Sequence, residues 1–175
     1  MTRLLRAVRF ASEKHRDHRR KGRTAAPYIN HPIAVAEQLA RAGHEQNTDL
    51  LMAAVLHDVV EDTETTAAEL ETLFGGAVAK IVMEVTDDKS LREKDRKRLA
   101  VESISAKSAE ARLLKLSDLI ANVHDVIHQP PNWSRDRKKR YFDWCEKVVG
   151  QMAGIHPVME RHLSKLLVEG RRAVG

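Results

Sequence analysis

The stretch LLMAAVLHDVVEDTETT, residues 50–66, begins as an apolar helix and turns acidic within a few residues. It sets His57 and Asp58 side by side and follows them, four residues on, with Glu61 and Asp62. On a continuous helix residues four apart share a face, so Asp58 would stack with Asp62 and His57 with Glu61. Four ionisable groups would then meet where a buried helix ends. Unpaired carboxylates in such a place cost on the order of several kcal/mol, and a divalent metal ion is the simplest compensation. His57 and Asp58 alone supply one nitrogen and one oxygen, too few for a stable site. His31 in YINHP and Asp118 in LLKLSDLIAN complete a set of two nitrogens and two oxygens, with positions left for water and substrate. Asp118 carries the most weight, because a carboxylate among Leu113, Leu114, Leu116, Leu119 and Ile120 has little other reason to be there. Mixed imidazole and carboxylate ligation suits Mn, Fe or Zn better than Ca. Such an ion lowers the pKa of a water from about 15.7 toward 7 and makes it a nucleophile at neutral pH. Glu61 and Asp62 are then the candidates for general acid and base, in either assignment.

The elements that must position these groups read as helices. Apolar residues recur at helical spacing almost throughout, and strand-like alternation between turn residues is hard to find. The reading is an all-α fold of about eight or nine helices in a single domain, residues 1–175. The first helix is expected from Arg3 to His18. A second starts at His31 and Pro32 and is capped by Gly43, and a third, opened by Asn47 or Thr48, carries the HD pair. A fourth opens at Thr66 and a fifth covers AVAKIVMEVTD, while DKSLREKDRKR reads as a charged linker or short helix. The long helix AEARLLKLSDLIANVHDVIH stops at Pro130 and Pro131. Two more, Ser134–Gly150 and Pro157–Gly170, finish the chain.

Composition narrows the partners. Thirty Lys and Arg against 25 Asp and Glu give a formal +5, which suits an anionic ligand. The single Cys145 excludes an internal disulfide and a cysteine metal cage, and a cytoplasmic setting fits it best. No apolar run approaches the roughly 20 residues that a membrane helix requires. Among the cations of the run Lys14–Arg23, Arg20 and Lys21 sit close in sequence to His31, which favours a role with an anionic ligand. Lys94, Arg96, Lys97 and Arg98 read as solvated surface, and the second His-Asp pair, His124–Asp125, as structural for want of an acidic pair four residues on.

The stretches PYINHPIAVAEQLA, AAVLHDVVEDTETT, VTDDKS, KLSDLIAN and WSRDRKKRYFDW, in this order, resemble the HD-domain metal-dependent phosphohydrolases. Within them the chain is most similar to the small stand-alone alarmone hydrolases related to the hydrolase half of RelA/SpoT proteins. The resemblance implies an HD-type helical bundle, Mn2+ as the cofactor, and removal of the 3′-pyrophosphate from (p)ppGpp to give GDP or GTP. It implies metal ligation by His31, His57, Asp58 and Asp118, catalysis by Glu61 and Asp62, and substrate contacts from Arg20, Lys21, Asn122, Arg137 and Tyr141. The partner would be a small guanosine nucleotide, with neither membrane nor nucleic acid involved and the oligomeric state left open. The chain departs from the family pattern at Leu119, where a cation commonly follows the last metal Asp, and at His124, where Arg is usual. Both changes remove positive charge near the presumed nucleotide. The alternative is therefore an HD phosphohydrolase for another nucleotide, such as NADPH or a deoxynucleotide.

Overall fold

The computed structural model describes residues 1–22 and 24–175, so Arg23 of the basic run lies outside the described residues. The fold is all-α: ten α-helices are present among the described residues, with no strand beyond an isolated antiparallel bridge between Arg19 and Pro27. At the centre is α3, Thr48–Leu56, whose residues from Leu50 to Leu56 are all buried. Its start is fixed by the Asn47 side chain, which accepts from the Leu50 N–H at 3.1 Å. Around it pack α1 (Thr2–Lys14), α2 (Asn30–Leu39), α6 (Gly76–Val85) and α8 (Ala109–His128). α1 offers only the small Ala7 and Ala11, four residues apart, and so lies close against α3. α2 and α8 are pinned together by the buried Ser117 hydroxyl, which donates to Val35 O at 3.0 Å.

Four stretches depart from the sequence reading. α1 ends at Lys14 rather than His18, because residues 15–18 turn back to bring Arg20 N–H onto Ala26 O and Tyr28 N–H onto His18 O. The third helix is not continuous through the acidic pair. α3 stops at Leu56, and a separate turn, α4 (Val59–Asp62), begins after His57 and Asp58, closed by Asp62 N–H on Asp58 O at 2.9 Å. The charged segment forms a full helix, α7 (Glu93–Ser103), which buries no residue of its own and is held to α9 (Arg135–Gly150) by Trp144 Nε1 donating to Lys97 O. The remaining helices are α5 (Ala67–Phe74), capped by Thr66, and α10 (Pro157–Val174), one turn longer than expected.

α10 supports α8 and α9 from behind, and the contact at Gly170 is tight: a Cβ there would lie 2.7 Å from Cζ of the buried Phe142. Helix propensity alone would favour Ala over Gly by roughly 1 kcal/mol. Overpacking against a ring with nowhere to move costs about 1–3 kcal/mol. Gly170→Ala is therefore expected to destabilise the protein by up to about 2 kcal/mol in urea unfolding, and a gain in stability would show that the ring yields.

Candidate metal centre and active site

His31 on α2, the His57–Asp58 break after α3 and Asp118 on α8 converge at one point. His31, His57 and Asp118 each offer a ligand atom within 4.8 Å of the other two. Asp58 Oδ2 stands 3.0 Å from His57 Nε2 and 4.0 Å from His31 Nε2, and Asp118 Oδ1 stands 3.2 Å from His31 Nε2 and 3.8 Å from His57 Nε2. His31, His57 and Asp118 are all buried, at 5%, 5% and 6% exposure, so this is not a solvated ion pair.

The tautomer of His57 is set by the helix it terminates. Its Nδ1–H donates to Ala54 O at 2.8 Å, which leaves Nε2 facing the two carboxylates. That nitrogen is buried without a hydrogen-bond partner. Burial works against a charge on His57, but Asp58 and Asp118 outweigh it and hold its pKa well above the usual value. The same balance acts on the acids: burial opposes ionisation, yet His57 holds Asp58 well below the carboxylate range, and Lys115 and His31 do so for Asp118. A set of two imidazole nitrogens and two ionised oxygens, with the buried His57 Nε2 lacking a hydrogen-bond partner, fits a divalent transition-metal ion, which would take the place of a proton there.

Around this cluster stand groups that hold the acids in place. The Tyr28 hydroxyl donates to Asp58 Oδ2 at 2.5 Å, Lys115 Nζ lies 3.0 Å from Asp118 Oδ2, and Asn122 Nδ2 donates to Asp118 Oδ1 at 2.5 Å. Sequence reasoning singled out only Asn122. Lys115 and Asn122 were open to discovery, since they sit three before and four after Asp118 on one helix face. Tyr28 carries no such spacing signal.

A cavity of about 720 Å³ lies beside the cluster, lined by Tyr28 and Asn122, which bond two of its carboxylates, and by Glu61 and Asp62 among others. Glu61 accepts from Asp87 N–H at 3.2 Å, and burial raises its pKa. Asp62 is held by the Lys89 ammonium, which is also 4.0 Å from Glu61. Lys89 is 27 residues from Asp62 in sequence, and no pattern announces the pair. Arg20, Lys21 and Tyr141 line the same cavity. Arg20 is already engaged: Nε and Nη2 donate to Asp125 Oδ2 at 3.0 and 2.8 Å, and Nη2 also donates to Asn122 Oδ1 at 2.8 Å. Asp125 thus has the structural role the sequence suggested, but one set inside the cavity. Tyr141 is half-buried between Trp133 and the thiol of Cys145, which burial pushes up to about 12.

Other expected groups lie elsewhere. Arg137 is exposed and rests on the Trp133 ring, 4.6 Å from its centroid, so it backs the cavity wall without lining it. His124 is exposed beside His128, outside the cavity, and Leu119 is core at 1% exposure. Neither departure from the family pattern therefore alters the lining. Arg96, read as solvated, does line it.

The sequence signature described as HD domain matches residues 7–141. The guanosine-3′,5′-bis(diphosphate) 3′-pyrophosphohydrolase MESH1 of Danio rerio is 45% identical over 167 residues, covering 95% of this chain and 93% of the relative. The Homo sapiens protein of the same name is 44% identical over 164 residues, covering 93% and 92%. A solved structure described as "a metazoan ortholog of SpoT hydrolyzes ppGpp and plays a role in starvation responses" superimposes with a TM-score of 0.93 at 38% identity, over 97% of this chain and 96% of that one.

Asp58→Ala is expected to lose bound divalent metal in elemental analysis, since it removes an anionic ligand from a set with few alternatives. Tyr28→Phe should keep the fold and weaken metal affinity about 10–100-fold, the usual effect of losing a group that orients a ligand. Unchanged affinity would reduce the Tyr28 contact to packing.

Proposed function

We propose, from the premise that this chain belongs to the HD-domain family, that it is a metal-dependent guanosine-3′,5′-bis(diphosphate) 3′-pyrophosphohydrolase converting (p)ppGpp to GDP or GTP and pyrophosphate. One observation supports the reading: His31, His57, Asp58 and Asp118 cluster behind Tyr28 and Asn122, which bond two of them and line a cavity that presents Glu61, Asp62 and several cations. His31, His57, Asp58 and Asp118 would hold the ion, which we take to be Mn2+. When bound, it supplies a water of lowered pKa and a counter-charge for the phosphoryl group. We assign the whole chain, 1–175, to this one catalytic domain, acting in the cytoplasm on a small nucleotide with no nucleic acid as partner.

The remaining work falls to the chain's own side chains. Glu61, desolvated but fixed by the Asp87 N–H, keeps a carboxyl whose raised pKa suits it to hold a proton for part of the cycle. Asp62, paired with Lys89, stays close to the same reacting centre. Between them they would remove a proton from the attacking water and return one to the departing 3′-oxygen. Arg20 is oriented before substrate arrives, by Asp125 and Asn122, so little side-chain freedom is lost when it meets a phosphate. Trp133 and Tyr141 give the cavity an aromatic wall for the purine.

The deciding experiment is to incubate the purified protein with Mn2+ and ppGpp and identify the products. GDP with pyrophosphate supports the reading; no turnover of ppGpp together with phosphate release from NADPH would assign the chain to a different HD phosphohydrolase. Glu61→Gln is expected to retain the metal and lose at least about 10²-fold in turnover. Wild-type turnover in that variant would make Glu61 a structural anchor for residues 86–92.

A further inference from the structure

Arg96 occupies a place its helix does not explain. α7 buries nothing, and its neighbouring cations Lys97 and Arg98 pair along its own surface, with Glu93 and Glu102, each at 2.7 Å. Arg96 turns away from that surface. Its Nη1 donates to Leu91 O at 2.8 Å, its Nε stands 3.9 Å from Asp87 Oδ2, and the side chain keeps only 25% exposure while lining the active-site cavity. The hydrogen bond to Leu91 O orients the guanidinium, the Asp87 carboxylate stands beyond hydrogen-bond reach, and Nη2 makes no hydrogen bond among the described residues. A planar fork held in place with a spare edge toward a cavity is suited to a phosphate.

The other cations of the lining divide by position: Arg19 donates to Arg16 O and His18 O, and Lys21 is exposed beside Arg20, on the wall of the loop that precedes α2. Arg20 is tied to Asn122, which itself bonds Asp118, so it stands beside the α8 side of the proposed metal ligands. Lys89 is occupied by Asp62 and Glu61 on α4. Arg96 touches none of the proposed ligands or catalytic carboxylates, which places it where a non-reacting part of the substrate would lie. A guanosine bis(diphosphate) has such a part, since only its 3′-diphosphate is cleaved. We propose that Arg96 is a specificity-determining residue that binds the 5′-diphosphate. The inference rests on the substrate reading above. It also gives the enzyme a use for binding energy distant from the reacting phosphorus, which can be spent on orienting the scissile bond.

The test compares two substrates, ppGpp and guanosine 3′-diphosphate with a free 5′-hydroxyl, in the parent protein and in Arg96→Gln, each loaded with Mn2+. On ppGpp the variant should lose about ten- to a hundredfold in kcat/KM, the scale of a charge-assisted phosphate contact. On the truncated substrate parent and variant should be equal. Arg96→Lys, which keeps the charge but not the fork, should recover part of the loss on ppGpp alone. An equal loss on both substrates would mean that Arg96 only supports α7, and no loss on either would mean that it meets no phosphate; each result overturns the proposal. A parent protein that makes no GDP from ppGpp would remove the underlying substrate reading as well.

Discussion

Two ionised carboxylates, Asp58 and Asp118, meet in a nearly dry interior, and the rest of the molecule is arranged so that they can stay there. Desolvation penalises each of them, and left alone they would protonate or force the helices apart. Lys115, Tyr28, Asn122 and two imidazoles offset part of that penalty at contact distance. A divalent ion would supply the balance. The requirement also fixes the packing. α2, α3 and α8 must lie close enough for His31, His57 and Asp118 to touch, and the buried Ser117–Val35 hydrogen bond holds two of them at that spacing.

The break between α3 and α4 serves the same end. A straight helix would carry Asp58 on around the axis with its neighbours. Ending α3 at Leu56 lets His57 fold its Nδ1–H onto Ala54 O and lets Asp58 open a new turn, so that two consecutive side chains reach the same point. The acidic pair is redirected in the process. Glu61 and Asp62 leave the ligand cluster and meet Asp87 and Lys89 across the cavity.

Local sequence announces whatever depends on local rules. α8 has the bounds its apolar period and Pro130 predict, and Thr66 and Asn47 cap as their side-chain chemistry requires. The cluster was legible because a carboxylate inside a leucine-rich helix needs an explanation. The break after Leu56 was not, since nothing in LHDVVEDT forbids a continuous helix; tertiary contacts with α2 and α8 decide it. Lys89, Arg96 and Asp125 were missed or undervalued for a related reason. Each gains its role from a partner or a cavity far away in sequence, and a charged residue on a polar segment looks the same whether it faces water or substrate.

Cys145 has a consequence of its own. The chain's single thiol is enclosed behind the Tyr141 ring, with a pKa near 12, so almost none of it exists as thiolate at neutral pH. Thiolate is the form that peroxide, disulfides and alkylating agents attack. The layer behind the cavity wall is thus built with a sulfur that behaves as a hydrocarbon, and oxidants reaching the protein would find their targets at exposed methionines such as Met83.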